Sequence, residues 1–187
     1  ADYLSTSLKY KFGKYKRIAI VAHSLGGLVA QKALLGISKD QLDRISHLFL
    51  IATPSNGIAC TAFAKLWNKH LKDLNEEGEF IINLRKQWNE TFSGEYPFDF
   101  NVIAATHDEF VSVDSSLKPF KPDNCSSIVG SHFSIIQPKD THHNTYHLLL
   151  DGLTNHSHDH QEEEGEDKYN LTEKLLCIAI VIFAHIM

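Results

Sequence analysis

The sequence predicts an α/β fold built on a mostly parallel β-sheet. Short apolar runs suit strands that are buried on both faces, and stretches with helical periodicity alternate with these runs along the chain. The length of 187 residues and the 43% hydrophobic content are enough for one domain with a buried core. The net charge of -5 gives no basic footprint, so nucleic acid is not expected as a partner.

Helices and strands are predicted to alternate from the start of the chain. Leu4, Leu8 and Phe12 recur at helical spacing, so a first helix is expected before Gly13. The apolar runs predicted as strands are Arg17–His23, His47–Thr53, Phe98–Thr106 and Ser126–Val129. The later stretches predicted as helices are Leu28–Leu35, Ile58–Phe92 with a break near Gly78, and Tyr146–Leu153.

The composition changes after the last predicted helix. Residues 155–170 contain the run NHSHDHQEEEGED and are predicted to be an acidic, His-rich linker that follows a domain of residues 1–154. Residues 171–187 form an apolar C-terminal segment, whose closing run of 13 residues is shorter than the roughly 18 to 20 that span a bilayer. We expect a buried helix or strand of a further domain there. A shortened membrane anchor and a removable lipid-anchor signal are the alternatives, so membrane association through this segment stays open.

The most informative residues are Val21–Gly27, VAHSLGG, where a predicted strand runs directly into a predicted helix. Ser24 occupies the corner, with small residues two positions before and two after it, Ala22 and Gly26. A nucleophile on such a strained turn projects its hydroxyl above the sheet, and the first amides of the helix face a reacting carbonyl. The alternative is an ordinary turn in which Ser24 only caps the helix.

The string AHSLG resembles the G-x-S-x-G nucleophile elbow of the α/β-hydrolase superfamily, and of its serine lipases and esterases in particular. The resemblance implies an α/β-hydrolase fold and cleavage of a small-molecule ester or lipid without a cofactor. It also implies the backbone N–H of Leu25 as one oxyanion donor. The family places several strands, and the loop with the second donor, before the elbow. We therefore expect those strands and that donor to be missing, with residues 1–154 as the C-terminal part of a hydrolase domain.

The family's acid and base follow the serine in that order, each on a loop after a later strand. Asp108 stands directly after the third predicted strand, in DEFVSVDSS, which resembles the family's acid loop. It is the preferred acid, with Glu109 and Asp114 as alternatives. Among twelve histidines, His132 is the preferred base because SIVGSHFSII resembles the family's histidine loop. The expected catalytic residues are thus Ser24, Asp108 and His132.

Two other histidines lie next to these residues in the sequence. His23 directly precedes Ser24, and because neighbours alternate at a strand end we expect it to pack or hydrogen-bond beneath the elbow. His107 precedes Asp108 and is too close to that acid to be oriented by it. Neither is expected to be the base.

Several patterns leave alternatives open. Leu50–Gly57, LIATPSNG, resembles a turn next to the elbow in lipase-like serine hydrolases, or is an ordinary turn. The aromatic stretch Ile58–Phe92 stands where such enzymes often insert a cap, or is core. The histidines of 142–147 and 156–160 could ligate a transition metal, but a solvated linker is preferred for the second group and no metal is expected.

Two further functions remain compatible with the sequence. One is a non-catalytic α/β-hydrolase-like module that binds or regulates, and the other is an acyltransferase that uses the same triad. The complete order of serine, acid and histidine favours a catalytic protein. Oligomeric state and compartment are left undetermined by these patterns.

Overall fold

The computed structural model describes residues 1–58 and 74–154 with their side chains, and the backbone of residues 178–182. The strands are β1 Ile18–His23, β2 Ile45–Ile51, β3 Asp99–Ala105, β4 Cys125–Ile128 and β5 Ile178–Ile182. The helices are α1 Asp2–Thr6, with a π-helical continuation Ser7–Lys11, α2 Leu25–Leu34, α3 Lys39–Leu42, α4 Glu79–Phe92, α5 Val113–Leu117 and α6 Asn144–Thr154. Single 3₁₀ turns occupy Pro122–Asn124 and Ser134–Ile136.

The strands form one five-stranded sheet in the order β4-β3-β2-β1-β5, and every pair is parallel. Parallel neighbours need a crossover between them, which α2 and α3 supply between β1 and β2. Because all strands run the same way, their carboxyl ends meet at one edge of the sheet. This confirms the predicted α/β fold with a parallel sheet, and it brings the loops after β1, β3 and β4 to a common edge.

Alternate residues of β1, β2 and β3 enter two different cores. On β2, Leu48 and Leu50 pack in the core that contains Trp88 of α4, whereas Phe49 and Ile51 pack in the core beneath α6. Both faces of the sheet are covered, which explains why the strands are apolar throughout rather than alternating with polar residues. The same alternation assigns odd-numbered residues of β1 to the α6 face.

Apart from the stretch Ile58–Phe92, the predicted elements agree with the described residues to within a few residues at each end. Gly78 is the N-cap residue of α4, where the sequence predicted a break. Residues 59–73, the N-terminal part of the predicted cap segment, lie outside the described residues. The short helices α3 and α5 were not predicted, because they span only four and five residues and carry no full helical period.

The predicted linker, residues 155–170, and most of the apolar C-terminal segment also lie outside the described residues. Within that segment, Ile178–Ile182 forms β5, which pairs in parallel with β1 from Ile18 to Ala22. The division of the chain into a domain, a linker and a C-terminal segment stays a prediction. In residues 1–58, 74–154 and 178–182, no helix combines the length and the apolar character needed to cross a membrane.

Candidate active site

Ser24 stands between the last residue of β1 and the first residue of α2, as the elbow pattern predicted. Its backbone has φ 55° and ψ -133°, a region that costs a residue other than glycine about 1 to 3 kcal/mol. The Ser24 N–H donates to the carbonyl of Ile51 at 2.9 Å, which anchors the elbow to β2. The Ser24 side chain makes no capping bond to α2. The strained turn therefore presents the hydroxyl instead of using it as a helix cap.

Gly27 explains how α2 fits against the turn that follows β2. A Cβ atom at Gly27 would lie 2.0 Å from the hydroxyl oxygen of Thr53, far inside van der Waals contact. Only glycine permits this approach of helix and turn. The elbow pattern predicted a small residue at Gly26 and did not predict this requirement at Gly27, although the second glycine of SLGG was a visible signal of it.

The structure brings Ser24, His132 and Asp108 together. His132 Nε2 lies 3.0 Å from Ser24 Oγ, and His132 Nδ1 lies 2.7 Å from Asp108 Oδ2. The carboxylate can only accept, so His132 donates from Nδ1 and keeps Nε2 as the acceptor for the serine hydroxyl. The side chains of His132 and Asp108 are almost fully buried, 3% and 1% exposed. Solvent therefore competes little with these hydrogen bonds.

Asp108 is held in place by its own loop. Its Oδ1 accepts from the backbone N–H groups of Phe110 and Val111, both at 2.8 Å. The other oxygen is thus directed at His132. Of the two alternative acids, Glu109 accepts from the backbone N–H of His132 at 3.3 Å, and Asp114 is exposed in the first turn of α5.

The two neighbouring histidines have different environments. His23 Nε2 lies 3.0 Å from the backbone carbonyl oxygen of His132, and the two rings are 4.5 Å apart. Burial, reinforced by the nearby His132, lowers the pKa of His23 from 6.5 to about 4. His107 is exposed and contacts the hydroxyl of Thr106 at 3.0 Å. His23 therefore hydrogen-bonds as the sequence predicted, and its partner is the histidine loop itself.

Leu25 is the first residue of α2, so its N–H belongs to the unpaired amides at the positive end of the helix dipole. An oxygen that becomes negative near Ser24 would be stabilised there. In the described part of the chain no strand precedes β1, so the loop expected to supply a second donor has no counterpart in it.

Apolar side chains border this group of polar residues. Leu25 packs against Ile58 and Val111 in one small cluster. The rings of Phe110 and Phe133 meet the His132 ring edge to face, at centroid distances of 5.3 and 5.1 Å. The surroundings favour an uncharged, apolar substrate group over a charged one.

Other concave regions of the described residues lie apart from these side chains. One open groove runs between β4 and α6, past Ser126, His147 and Asp151. A second begins near Tyr96 at the amino ends of the strands. Within the described ranges, no three metal-ligating side chains form a group that could hold a metal ion. These ranges include the histidines of residues 142–147, whereas those of residues 156–160 lie outside them.

Comparisons with known proteins concern the family and the fold of the chain. The model of the family described as "Putative serine esterase (DUF676)" matches residues 1–92. Two solved structures of phospholipase PlaB from Legionella pneumophila are similar in fold. The one in complex with thio-NAD is 17% identical with a TM-score of 0.68 over 84% of this chain and 46% of PlaB. The other is 16% identical with a TM-score of 0.63 over 83% and 47%. None of the curated proteins compared with the chain matches it significantly.

The parallel sheet and the similarity to the PlaB structures show an α/β-hydrolase fold. The match to the serine esterase family covers β1, the elbow, β2 and α4. The chain spans about half the length of the PlaB structures that it matches.

Proposed function

We propose that the protein hydrolyses a carboxylic ester or lipid acyl bond through a Ser24–His132–Asp108 triad and an acyl-enzyme. The observation that carries the proposal is the continuous hydrogen-bonded chain from the strained Ser24 through His132 to the buried Asp108. A serine hydroxyl needs such a base to become a nucleophile, and the base needs a third group that fixes its tautomer.

The geometry supports the following reaction. Ser24 Oγ attacks the acyl carbonyl while His132 Nε2 takes the hydroxyl proton, and Asp108 stabilises the imidazolium that forms. The carbonyl oxygen becomes negative and accepts from the Leu25 N–H. His132 then returns the proton to the leaving alcohol, which leaves an acyl-Ser24 ester. A water molecule gives a proton to His132 and attacks the ester carbonyl. His132 then returns the proton to Ser24 Oγ as the bond to the acyl group breaks, which releases the carboxylic acid and the free serine.

The apolar border of the site supports an acyl substrate. Leu25 adjoins the nucleophile in the chain, while Phe110 and Phe133 contact the ring of the base. An acyl chain bound to Ser24 would therefore leave water for apolar contacts, which contribute about 0.8 kcal/mol per buried methylene. We extend this to esters and lipids because the family description and the PlaB similarity concern an esterase and a phospholipase.

The test is labelling with a fluorophosphonate, followed by turnover of p-nitrophenyl esters of increasing chain length. Wild-type protein should be labelled, Ser24→Ala should not, and a longer acyl chain should lower KM. Labelling that persists in Ser24→Ala would overturn the nucleophile assignment. A wild type that is not labelled would instead indicate a non-catalytic module, and transfer to an added alcohol in preference to water would indicate an acyltransferase.

A further inference from the structure

We propose that His23 is a positioning residue, whose side-chain N–H holds the backbone carbonyl of His132 and thereby fixes the base against the nucleophile. The inference rests on the proposed function and adds a residue that the three-member triad does not include.

The hydrogen bond has a defined direction. A backbone carbonyl only accepts, so His23 donates from Nε2 across the 3.0 Å separation. His23 is the last residue of β1, and Ser24 follows it. Residue 132 is consequently tied to this strand end at two points, by its ring to the Ser24 hydroxyl and by its carbonyl to the His23 side chain.

The face of the sheet explains why His23 can reach the histidine loop. His23 has the same parity along β1 as Val21, which packs with the core beneath α6. The loop that carries His132 leaves β4 on the same side, and Ile135 of this loop packs in that core. Strand alternation therefore turns His23 away from the hydroxyl of Ser24 but toward the main chain of its base.

The histidine loop has exposed and buried restraints, and one of them is the backbone bond from the His107 N–H to the Gly130 carbonyl at 3.0 Å. Between β4 and His132 this loop passes through Val129, which is 71% exposed, and the His132 N–H donates to the exposed Glu109 at 3.3 Å. By contrast, the bond from His23 is buried, because His23 and His132 are 5% and 2% exposed. A buried hydrogen bond restrains the loop more than an exposed one does, and a misplacement of about 1 Å in such a site costs roughly 100-fold in rate.

A neutral donor suits this position better than a charged one. The two imidazole rings lie 4.5 Å apart, so a positive charge on His23 would oppose the imidazolium that forms on His132. Burial and His132 both lower the pKa of His23 to about 4, while the bond to the His132 carbonyl and the charge of Asp108 act against this. His23 therefore stays neutral near pH 7 and still provides an N–H.

The experiment compares His23→Leu with His23→Gln. Leucine fills a similar volume without a donor, whereas glutamine places an amide N–H near the position of Nε2. The readouts are the second-order rate of fluorophosphonate labelling, kcat and KM for p-nitrophenyl butyrate, and Tm. The matched control is His107→Gln, which changes an exposed histidine. A comparison of the wild-type protein with Ser24→Ala tests the proposed function separately.

We expect His23→Leu to lower the labelling rate and kcat by about 10- to 100-fold, with KM changed less than about threefold. The labelling rate and kcat of His23→Gln and of His107→Gln should stay near the wild-type values. Equal rates for both His23 variants, whether both fast or both slow, would overturn the positioning role, since the donor would then not matter. If His23→Leu fails to fold, His23→Asn, whose amide is too short, takes its place with the same criteria. Loss of wild-type labelling would overturn the proposed function and this inference together, whereas failure confined to the His23 variants would overturn the inference alone.

Discussion

The described part of the chain holds two buried histidine–aspartate pairs, at opposite edges of one sheet. At the carboxyl edge, His132 and Asp108 approach to 2.7 Å and His132 contacts Ser24. At the amino edge, His47 of β2 and Asp99 of β3 are register partners, and their side chains lie 3.4 Å apart. The amino-edge pair also adjoins a serine hydroxyl, since Ser46 Oγ lies 2.9 Å from His47 Nδ1.

The difference lies in the backbone around the serine. Ser46 is inside β2, where no helix begins, whereas Ser24 has a positive φ and stands at the start of α2. The carboxyl edge thus provides a projecting hydroxyl and an amide of a helix terminus, and the amino edge provides a cross-strand pair. A serine, a histidine and an aspartate within reach of one another therefore do not define an active site until the elbow is added.

The largest expected effect is the difference in kcat between variants of the two serines, Ser24 and Ser46. Ser24→Ala is expected to lower kcat by roughly 10⁴- to 10⁶-fold, because it removes the nucleophile. Ser46→Ala should leave kcat within about threefold of wild type, since it is remote from the elbow. Ester hydrolysis and fluorophosphonate labelling of both variants measure this. Comparable losses in the two variants would contradict the functional distinction between the edges.

The two aspartates should separate activity from stability. Asp108→Asn is expected to lower kcat by roughly 10⁴-fold, because the amide no longer holds the histidine in the required tautomer. Asp99→Asn should instead lower the free energy of unfolding by about 1 to 3 kcal/mol, with little change in kcat, because it weakens a buried polar pair. Urea unfolding and steady-state kinetics on both proteins provide the test, and an exchange of the two outcomes would refute it.

The contrast between the two edges of the sheet also shows which parts of the candidate site could be predicted from the sequence. The proximity of Ser24, Asp108 and His132 was predictable, because each follows a recognisable strand of a parallel sheet and such strand ends share an edge. Local strings were enough for this, although the residues are far apart in the chain.

The role of His23 was harder to predict. Its partner is a backbone carbonyl 109 positions away, and the sequence does not reveal on which face the loop after β4 folds. The requirement at Gly27 depends likewise on the turn at Thr53, a contact between separate elements. Strand β5 was one of two alternatives, since an apolar run of its length suits a strand or a helix equally well.

Two glycines of the first crossover test whether the elbow needs its close packing. Gly27→Ala should destabilise the protein by about 3 kcal/mol and slow labelling, because its Cβ overlaps Thr53. Gly36→Ala is the control, since a Cβ there meets its nearest neighbour at an ordinary 3.6 Å. It should change stability by less than about 0.5 kcal/mol. Thermal unfolding of both variants decides, and a Gly27→Ala protein with unchanged Tm would show that the helix can move away from the turn.

The smallest expected effect is a contribution of His23, the third buried histidine at these sheet edges, to the pH dependence of stability. The pKa of His23 is lowered from 6.5 to about 4 on folding, so between these values the unfolded chain binds a proton that the folded chain rejects. Stability is therefore greatest above the unfolded pKa and declines as the pH falls, by about 2 kcal/mol from this residue between pH 7 and pH 5. His23→Gln should remove that part of the decline while other groups continue to titrate in both proteins. The measurement is the free energy of unfolding of each protein against pH. Parallel curves would mean that His23 takes up its proton equally well in the folded chain, which would contradict the neutral donor assigned beside His132.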